Sequence, residues 1–91
     1  MGVIVAGKLI IQSGRRDAFI EKSQDVVLHA RQNQACEDFS VSPDPIDMNR
    51  VNIFEKWTSY AELHAFRASG PDNELLSLVE LFDVKEYDIT P

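Results

Sequence analysis

A glutamate on an otherwise aliphatic and aromatic strand face is the residue of this chain best suited to chemistry. Residues 51–57 alternate as a β-strand, which places Glu55 and Trp57 on the same face. A carboxyl group buried there has a raised pKa, because desolvation disfavours its charged form, and could act as a general base. The alternative is a structural glutamate, ion-paired or hydrogen-bonded at a subunit interface, with Arg50 as the nearest candidate partner. Trp57, the only tryptophan, is either a core aromatic or a platform for a substrate.

His29 is a second candidate for proton transfer. It lies beside the apolar stripe of a predicted helix, where it could titrate near neutral pH or simply hydrogen-bond at the surface. Trp57, His29 and Glu55 are therefore the predicted catalytic residues. Four further residues are predicted to contact a substrate: Asn52, Phe39, Tyr60 and Phe66. Asn52 belongs to the opposite strand face from Glu55, so it could instead point to a subunit interface.

Several other kinds of site are excluded by composition and spacing. His29, His64 and the single Cys36 lack the spacing of a metal site, and His64 is expected to face solvent. Two acidic residues follow Cys36, which we interpret as a buried structural thiol rather than a nucleophile. The chain has neither a Gly-x-Ser-x-Gly motif nor a glycine-rich phosphate loop. Its net charge of −6 argues against a nucleic-acid partner.

Targeting and membrane signals are absent from the sequence. No apolar run approaches the length that spans a bilayer, and the apolar N-terminal stretch lacks the basic region of a signal peptide. A lone cysteine suits a reducing compartment. We therefore expect a cytoplasmic protein with no membrane partner.

Four strands and two helices must position the candidate side chains within one 91-residue domain. Alternating patterns predict strands at 3–11, 36–41, 51–57 and 82–89. Helical spacing predicts a helix over 15–33, with Ser13 as its N-cap. A second helix follows Ser59, which forms a capping box with Glu62. It breaks at 68–72 and resumes over 73–81.

The order β-α-β-β-α-β predicts a ferredoxin-like α+β fold, a four-stranded antiparallel sheet with both helices on one face. The first strand is apolar on both faces, so a second copy of the chain is expected to cover the uncovered side. Burying roughly 600 Å² of apolar surface per chain would contribute on the order of 15 kcal/mol before association costs. The sequence therefore predicts a homodimer that pairs sheet against sheet.

Short motifs run from the second strand to the second helix. They are Ala35-Cys36, the Pro-Asp-Pro loop with Asn49-Arg50, Phe54-Glu55-x-Trp57 and Ala61-x-Leu63. Together they resemble the antibiotic biosynthesis monooxygenase family, of the dimeric α/β barrel superfamily. In element order the resemblance covers nearly the whole chain.

The resemblance implies a cofactor-free oxygenase of the quinol monooxygenase type. Such enzymes deprotonate a polyphenol or quinol, and the substrate anion itself reduces dioxygen in a pocket between sheet and helices. Trp57 and Glu55 match family positions, and Trp57 would line that pocket. Ile53 and Phe66 stand where many members carry Asn and His. Gly7 stands where haem-degrading relatives carry Asn, so haem degradation is not expected.

Three hypotheses for function follow. The first is oxidation of a small aromatic hydroxyl compound by dioxygen, with no cofactor or metal and with His29 or Glu55 handling the proton. The second is a non-catalytic or stress-related module that binds a small apolar ligand, which Ile53 and Phe66 favour. The third is an isomerase or decarboxylase, which would need only one base.

Overall fold

The computed structural model describes residues 2–69 and 73–89, which form one sheet and three helices. In chain order the elements are β1 (Gly2–Ile11), α1 (Arg16–Arg31), β2 (Cys36–Pro43), β3 (Arg50–Trp57), α2 (Tyr60–Ala68), α3 (Asn73–Ser77) and β4 (Val79–Ile89). The strands lie in the order β2-β3-β1-β4, and every neighbouring pair is antiparallel. This confirms the predicted ferredoxin-like fold, with the short α3 added before the last strand.

The two faces of the sheet differ in what covers them. Alternate side chains of β1 are at most 6% exposed because they pack with residues of the helices, and we call this side the inner face. Its β1 members are Val3, Val5, Leu9 and Ile11. On the other side, the open face, Ile4, Ala6 and Ile10 remain partly exposed and Phe54 is 37% exposed. Strand β1 therefore presents apolar side chains to both faces, as its sequence predicts.

The core has two clusters of buried side chains on the inner face. In one, Trp57 and Leu63 are fully buried with Ala30 of α1. In the other, Ile11 and Phe19 pack with leucines of the α3 region. Each fully buried side chain of this size contributes about 2–3 kcal/mol, so both helices are held down chiefly by their apolar stripes.

Of the two predicted helix caps, the structure contains one, at the start of α2, and lacks the other, at the start of α1. Ser59 caps α2, since its hydroxyl accepts a hydrogen bond from the Glu62 amide at 3.3 Å, as predicted. Ser13 does not cap α1: the N-cap is Arg15, with no side-chain hydrogen bond. The turn at Gly14 leaves Ser13 two residues before the N-cap, too early to reach the first free amides of the helix.

The end of the chain departs from the predicted helix over 73–81. Helix α3 ends at Ser77, and β4 already begins at Val79. Val79 pairs with Ile11 and Leu81 with Ile10, so hydrogen bonding to β1 overrides the local helical pattern. Of the predicted helix break at 68–72, residues 70–72 lie outside the described part of the chain.

Candidate functional site

Two neighbouring cavities around Glu55 open between the inner face of the sheet and the helices. The larger has a volume of about 260 Å³ and the smaller about 180 Å³. They share four lining residues: Val26, Phe39, Glu55 and Arg67. Most of the remaining wall of the larger cavity is aliphatic or aromatic, including Ile53 and Phe82. The arrangement suits a small apolar molecule that carries one polar end.

Glu55 is the carboxyl group that faces both cavities. Strand alternation on β3 turns it to the inner face, where it is largely buried. Its Oε1 accepts a hydrogen bond of 2.9 Å from the indole Nε1 of Trp57, two residues along the same face. Burial raises the pKa of Glu55, although the hydrogen bond from Trp57 and the charge of Arg67 both oppose that shift. The geometry supplies a held carboxyl group with a pKa above the ordinary value, in contact with an apolar cavity.

Beside Glu55 lies an ion pair between Arg67 and Glu86, two residues that the sequence analysis did not identify. Nη1 of Arg67, in the last turn of α2, lies 2.6 Å from Oε2 of Glu86 on β4. Val5 of β1 pairs with Glu55 on one side and with Glu86 on the other, so the two carboxylates flank it on the inner face. Antiparallel pairing of β3 and β4 to the same β1 residue brings these glutamates to one level, and no pattern within either strand indicates that register.

Aromatic side chains close the smaller cavity. Phe66 lies between His29 and Trp57, with ring centroids 5.5 Å and 5.1 Å away, respectively. Phe39 meets both Phe66 and Trp57 edge to face, at 5.9 Å and 6.5 Å. His29 is exposed at the cavity rim, whereas Phe39 is only 5% exposed. Of the predicted site residues, His29, Glu55, Phe39 and Phe66 are thus brought together around the cavities.

Trp57 lies behind the cavities rather than in their walls. Its side chain is fully buried, and neither cavity is lined by it. Its direct link to the site is the hydrogen bond that orients Glu55. The structure therefore assigns Trp57 contacts with the core and with the carboxyl group, and no contact with the cavity space.

Asn52 and Tyr60 lie outside the cavities. Asn52 belongs to the open face, where its amide donates to Asp44 at 3.0 Å and accepts from Nε of Arg50 at 2.7 Å. Arg50 shares that face and so is not the partner of Glu55 that the sequence suggested. Tyr60 stacks on His64 at 6.1 Å, and its hydroxyl hydrogen-bonds to Asp88. Alternation along β3 explains the first pair, because residues 50 and 52 point away from residue 55.

Cys36 is a half-buried thiol at the start of β2. Its Sγ donates to the carbonyl oxygen of Asp38 at 3.3 Å. Burial raises the pKa of this thiol, and the charges of Glu55 and Asp38 raise it further. A raised pKa keeps the thiol protonated, which is the opposite of what a nucleophilic cysteine needs.

The described residues contain neither a cluster of metal ligands nor a membrane-spanning helix. Within residues 2–69 and 73–89, no three His, Cys, Asp or Glu side chains group so that they could hold a metal ion. The helices in these ranges are all too short or too polar to cross a membrane.

Comparisons with known proteins point to one family. The family model for antibiotic biosynthesis monooxygenases matches residues 2–71. No curated protein matches the sequence significantly.

Solved structures repeat the fold. One from Chloroflexus aurantiacus, provisionally named an antibiotic biosynthesis monooxygenase, is 25% identical with a TM-score of 0.78, over 100% of this chain and 95% of that one. A similarly named structure from Deinococcus radiodurans is 17% identical with a TM-score of 0.82, over 100% and 94% of the two chains. One from Nitrosomonas europaea is 12% identical with a TM-score of 0.82, over 97% of each chain. At such identities the last two likenesses concern the fold.

Proposed function

The chain belongs to the antibiotic biosynthesis monooxygenase family, and on that premise we propose that it oxidises a small aromatic hydroxyl compound of the quinol type with dioxygen. The observation that supports this most directly is Glu55, a largely buried carboxyl group that faces an apolar cavity and is oriented by Trp57. The proposed reaction needs a base beside an apolar cavity, and the position of Glu55 between the two cavities supports that role.

The proposed reaction draws all its electrons from the substrate. A quinol and dioxygen give a hydroxyquinone and water. One oxygen atom is inserted into a ring C–H bond to give a hydroxyl group, and the other leaves as water with the two hydrogen atoms that the quinol loses on becoming a quinone. The quinol is oxidised by four electrons and dioxygen is reduced by four, so neither a cofactor nor an external reductant enters the balance.

Glu55 is a better placed base than His29. Glu55 contacts both cavities and is held by a 2.9 Å hydrogen bond, whereas His29 is exposed at the rim of the smaller cavity and stacks on Phe66. A carboxyl group with a raised pKa takes a proton from a phenolic hydroxyl more readily than an ordinary carboxylate, because its basicity is closer to that of the substrate.

Oxygen uptake with a panel of quinols tests the proposal. We expect consumption that requires the protein and that falls by roughly 10²-fold or more in Glu55→Gln. Glu21→Gln is the matched control, since Glu21 is exposed on α1. Uptake by no quinol in the panel, or equal uptake in wild type and Glu55→Gln, would contradict it. If oxygen uptake fell in His29→Gln but not in Glu55→Gln, the base would be His29 instead of Glu55.

We further propose that residues 1–91 act as one domain and pair as a homodimer through the open face. The supporting observation is the partly exposed Ile4, Ala6, Ile10 and Phe54 on that face. Apolar surface of this extent on a sheet is usually covered by another layer. In such a dimer both cavities stay on the outer, helical sides of the sheets.

A binding function without turnover is the second candidate. It is favoured by Ile53 and Phe66, apolar residues in the cavity walls at positions where many family members carry Asn and His. Native mass spectrometry of freshly purified protein separates the two: a retained apolar ligand that no quinol displaces, together with no oxygen uptake, favours binding alone.

A further inference from the structure

Among the residues that the structure describes, Arg67 is the only arginine or lysine that lines either of these two cavities. It reaches the cavities from the last turn of α2, and its side chain is 41% exposed. Glu86, 33% exposed, holds it through Nη1 at 2.6 Å. A guanidinium group has five N–H donors in a planar fork, so this contact leaves other donors available.

We propose that Arg67 binds the oxygen anion of an ionised phenolic substrate and that Glu86 is the positioning residue that holds Arg67 for this purpose. This rests on the function proposed above and names the substrate class of the same site more closely. The substrate is an aromatic compound with an ionisable hydroxyl, bound more tightly as its anion than as its neutral form.

The register of the sheet places the three charged groups at one level. Glu55 and Glu86 are the two inner-face partners of Val5, so their Cα atoms lie two strand spacings apart, roughly 10 Å. Arg67 pairs directly with Glu86, and its charge also lowers the pKa of Glu55 against the effect of burial. A hydroxyl group located between Glu55 and Arg67 therefore has a proton acceptor on one side and a cation on the other.

Proton transfer from the substrate hydroxyl to Glu55 moves a negative charge from the carboxylate to the substrate oxygen and creates no new charge. The hydroxyl O–H bond breaks, the proton goes to a carboxylate oxygen of Glu55, and the electron pair stays on the substrate oxygen. The total charge of the site is the same before and after. The new anion forms beside Arg67, whose guanidinium group is held in place by Glu86 and is only partly exposed to solvent. A cation that is already oriented stabilises such an anion without having to reorganise.

Binding of 4-nitrophenol tests this without any turnover, because its anion and its neutral form differ in colour. Titrating the bound ligand against pH gives the ratio of anion affinity to neutral affinity. We expect wild type to favour the anion, and Arg67→Gln to lose on the order of tenfold in that ratio. Arg67→Lys, which keeps the charge but not the fork, should retain part of the preference. Arg15→Gln is the control, since it removes an equal charge from an exposed side chain at the start of α1.

The variant Glu86→Ala distinguishes two effects of Glu86 on anion binding: its negative charge and its contact with Arg67. Removing a negative charge would by itself raise the preference for the anion. If Glu86 holds Arg67 in place, the preference falls instead.

Other titratable groups near the ligand could also change charge during the pH titration, so the Arg67 variants are also measured in protein that carries a second substitution, Glu55→Gln. Glu55 and Glu86 from the sheet, His29 from α1 and Cys36 from β2 all lie near the cavity or interact with Glu55. Repeating the titrations in Glu55→Gln protein removes the proton of the proposed base from the measurement. The effect of Arg67 should persist there.

Four results would overturn the inference. They are an absence of saturable nitrophenol binding by wild type, an unchanged anion preference in folded Arg67→Gln, an equal loss in Arg15→Gln, and a raised anion preference in Glu86→Ala. Since the measurement involves no oxygen, it can fail while quinol oxidation stands. Equally, anion preference can hold while oxygen uptake fails, so the two proposals are tested separately.

Discussion

At the scale of the single residue, Glu55 lies in surroundings where an ionised carboxylate loses much of its hydration, which costs free energy. Its neighbours along the inner face of β3 are Ile53 and Trp57, and the surrounding cavity wall is largely apolar. One hydrogen bond from an indole and one nearby guanidinium group offset part of the desolvation. The remaining penalty is what raises the pKa of Glu55, and it gives the group both its proposed chemistry and an effect on stability.

Glu55→Gln is expected to alter the pH dependence of stability. The folded protein keeps the proton of Glu55 to a higher pH than the unfolded chain does, so this site lowers the free energy of unfolding as pH rises above the usual carboxyl range. Gln keeps an oxygen for Trp57 but carries no charge. Relative to wild type, the variant should therefore gain stability as the pH rises above the ordinary carboxyl range, with little difference at the acid end.

Urea denaturation at a series of pH values measures this difference. Glu21→Gln, on the exposed side of α1, should leave the pH profile unchanged. A stability difference for Glu55→Gln that stays constant across the range would show that Glu55 has no raised pKa in the folded protein.

At the scale of the element, the contact between β1 and β4 depends on one glycine. Gly7 has a φ of +154°, and a Cβ atom there would collide with the carbonyl oxygen of Asp83 and lie 2.8 Å from the Cα of Val84. The close approach allows β4 to pair along β1, which brings Glu86 to the level of Glu55.

Gly7→Ala should lower the free energy of unfolding by about 2–4 kcal/mol, because both the backbone conformation and the spacing of two strands are strained. Gly14→Ala is the matched control. Gly14 also has positive φ, +77°, but a Cβ there would meet nothing within 4 Å, so the expected loss is only about 1 kcal/mol. Chemical denaturation compares them, and equal losses would contradict the role of the close strand contact.

The two predicted helix caps make a second comparison between elements. Ser59→Ala should cost about 1 kcal/mol, because the amide of Glu62 loses its acceptor at the start of α2. Ser13→Ala should cost close to nothing, because Ser13 is exposed and makes no capping bond to α1. Thermal or urea unfolding of the two variants decides the point, and a larger loss for Ser13→Ala would mean that α1 begins earlier than described.

At the scale of the whole molecule, the open face is the feature that a monomer does not explain. It carries apolar residues of β1 and Phe54 of β3, which pairs with Ala6 and Ser40 near the middle of the sheet. A two-fold arrangement would place this region of one chain against the same region of its partner.

Phe54→Lys should therefore convert the proposed dimer to a monomer at micromolar concentration, because a charge would be buried in the interface. Leu28→Lys is the control: Leu28 is 58% exposed on α1, a helix that packs against the inner face. Analytical ultracentrifugation gives the masses. A wild-type protein that sediments as a monomer would contradict the proposal, as would an unaltered dimer in Phe54→Lys.

The sequence alone predicts those features of the fold that depend on interactions between residues close together in the chain. Alternation predicted the faces of β1 and β3, and the Ser59 cap predicted where α2 begins, since each depends on residues close together in the chain. The predictions that differ from the structure, Ser13 as a cap and a helix reaching residue 81, concern places where a turn or a distant strand competes with the local pattern.

The sequence by itself determined that Glu55 and Trp57 share a strand face and that the elements follow the order of a ferredoxin-like sheet. Only the tertiary structure decided that Trp57 stands behind Glu55, that Asn52 hydrogen-bonds to Arg50 and Asp44, and that Arg67 and Glu86 join the site. The physical reason is the register of the sheet. Residues 55 and 86 are neighbours only because both strands pair with Val5, and no pattern within either strand carries that information.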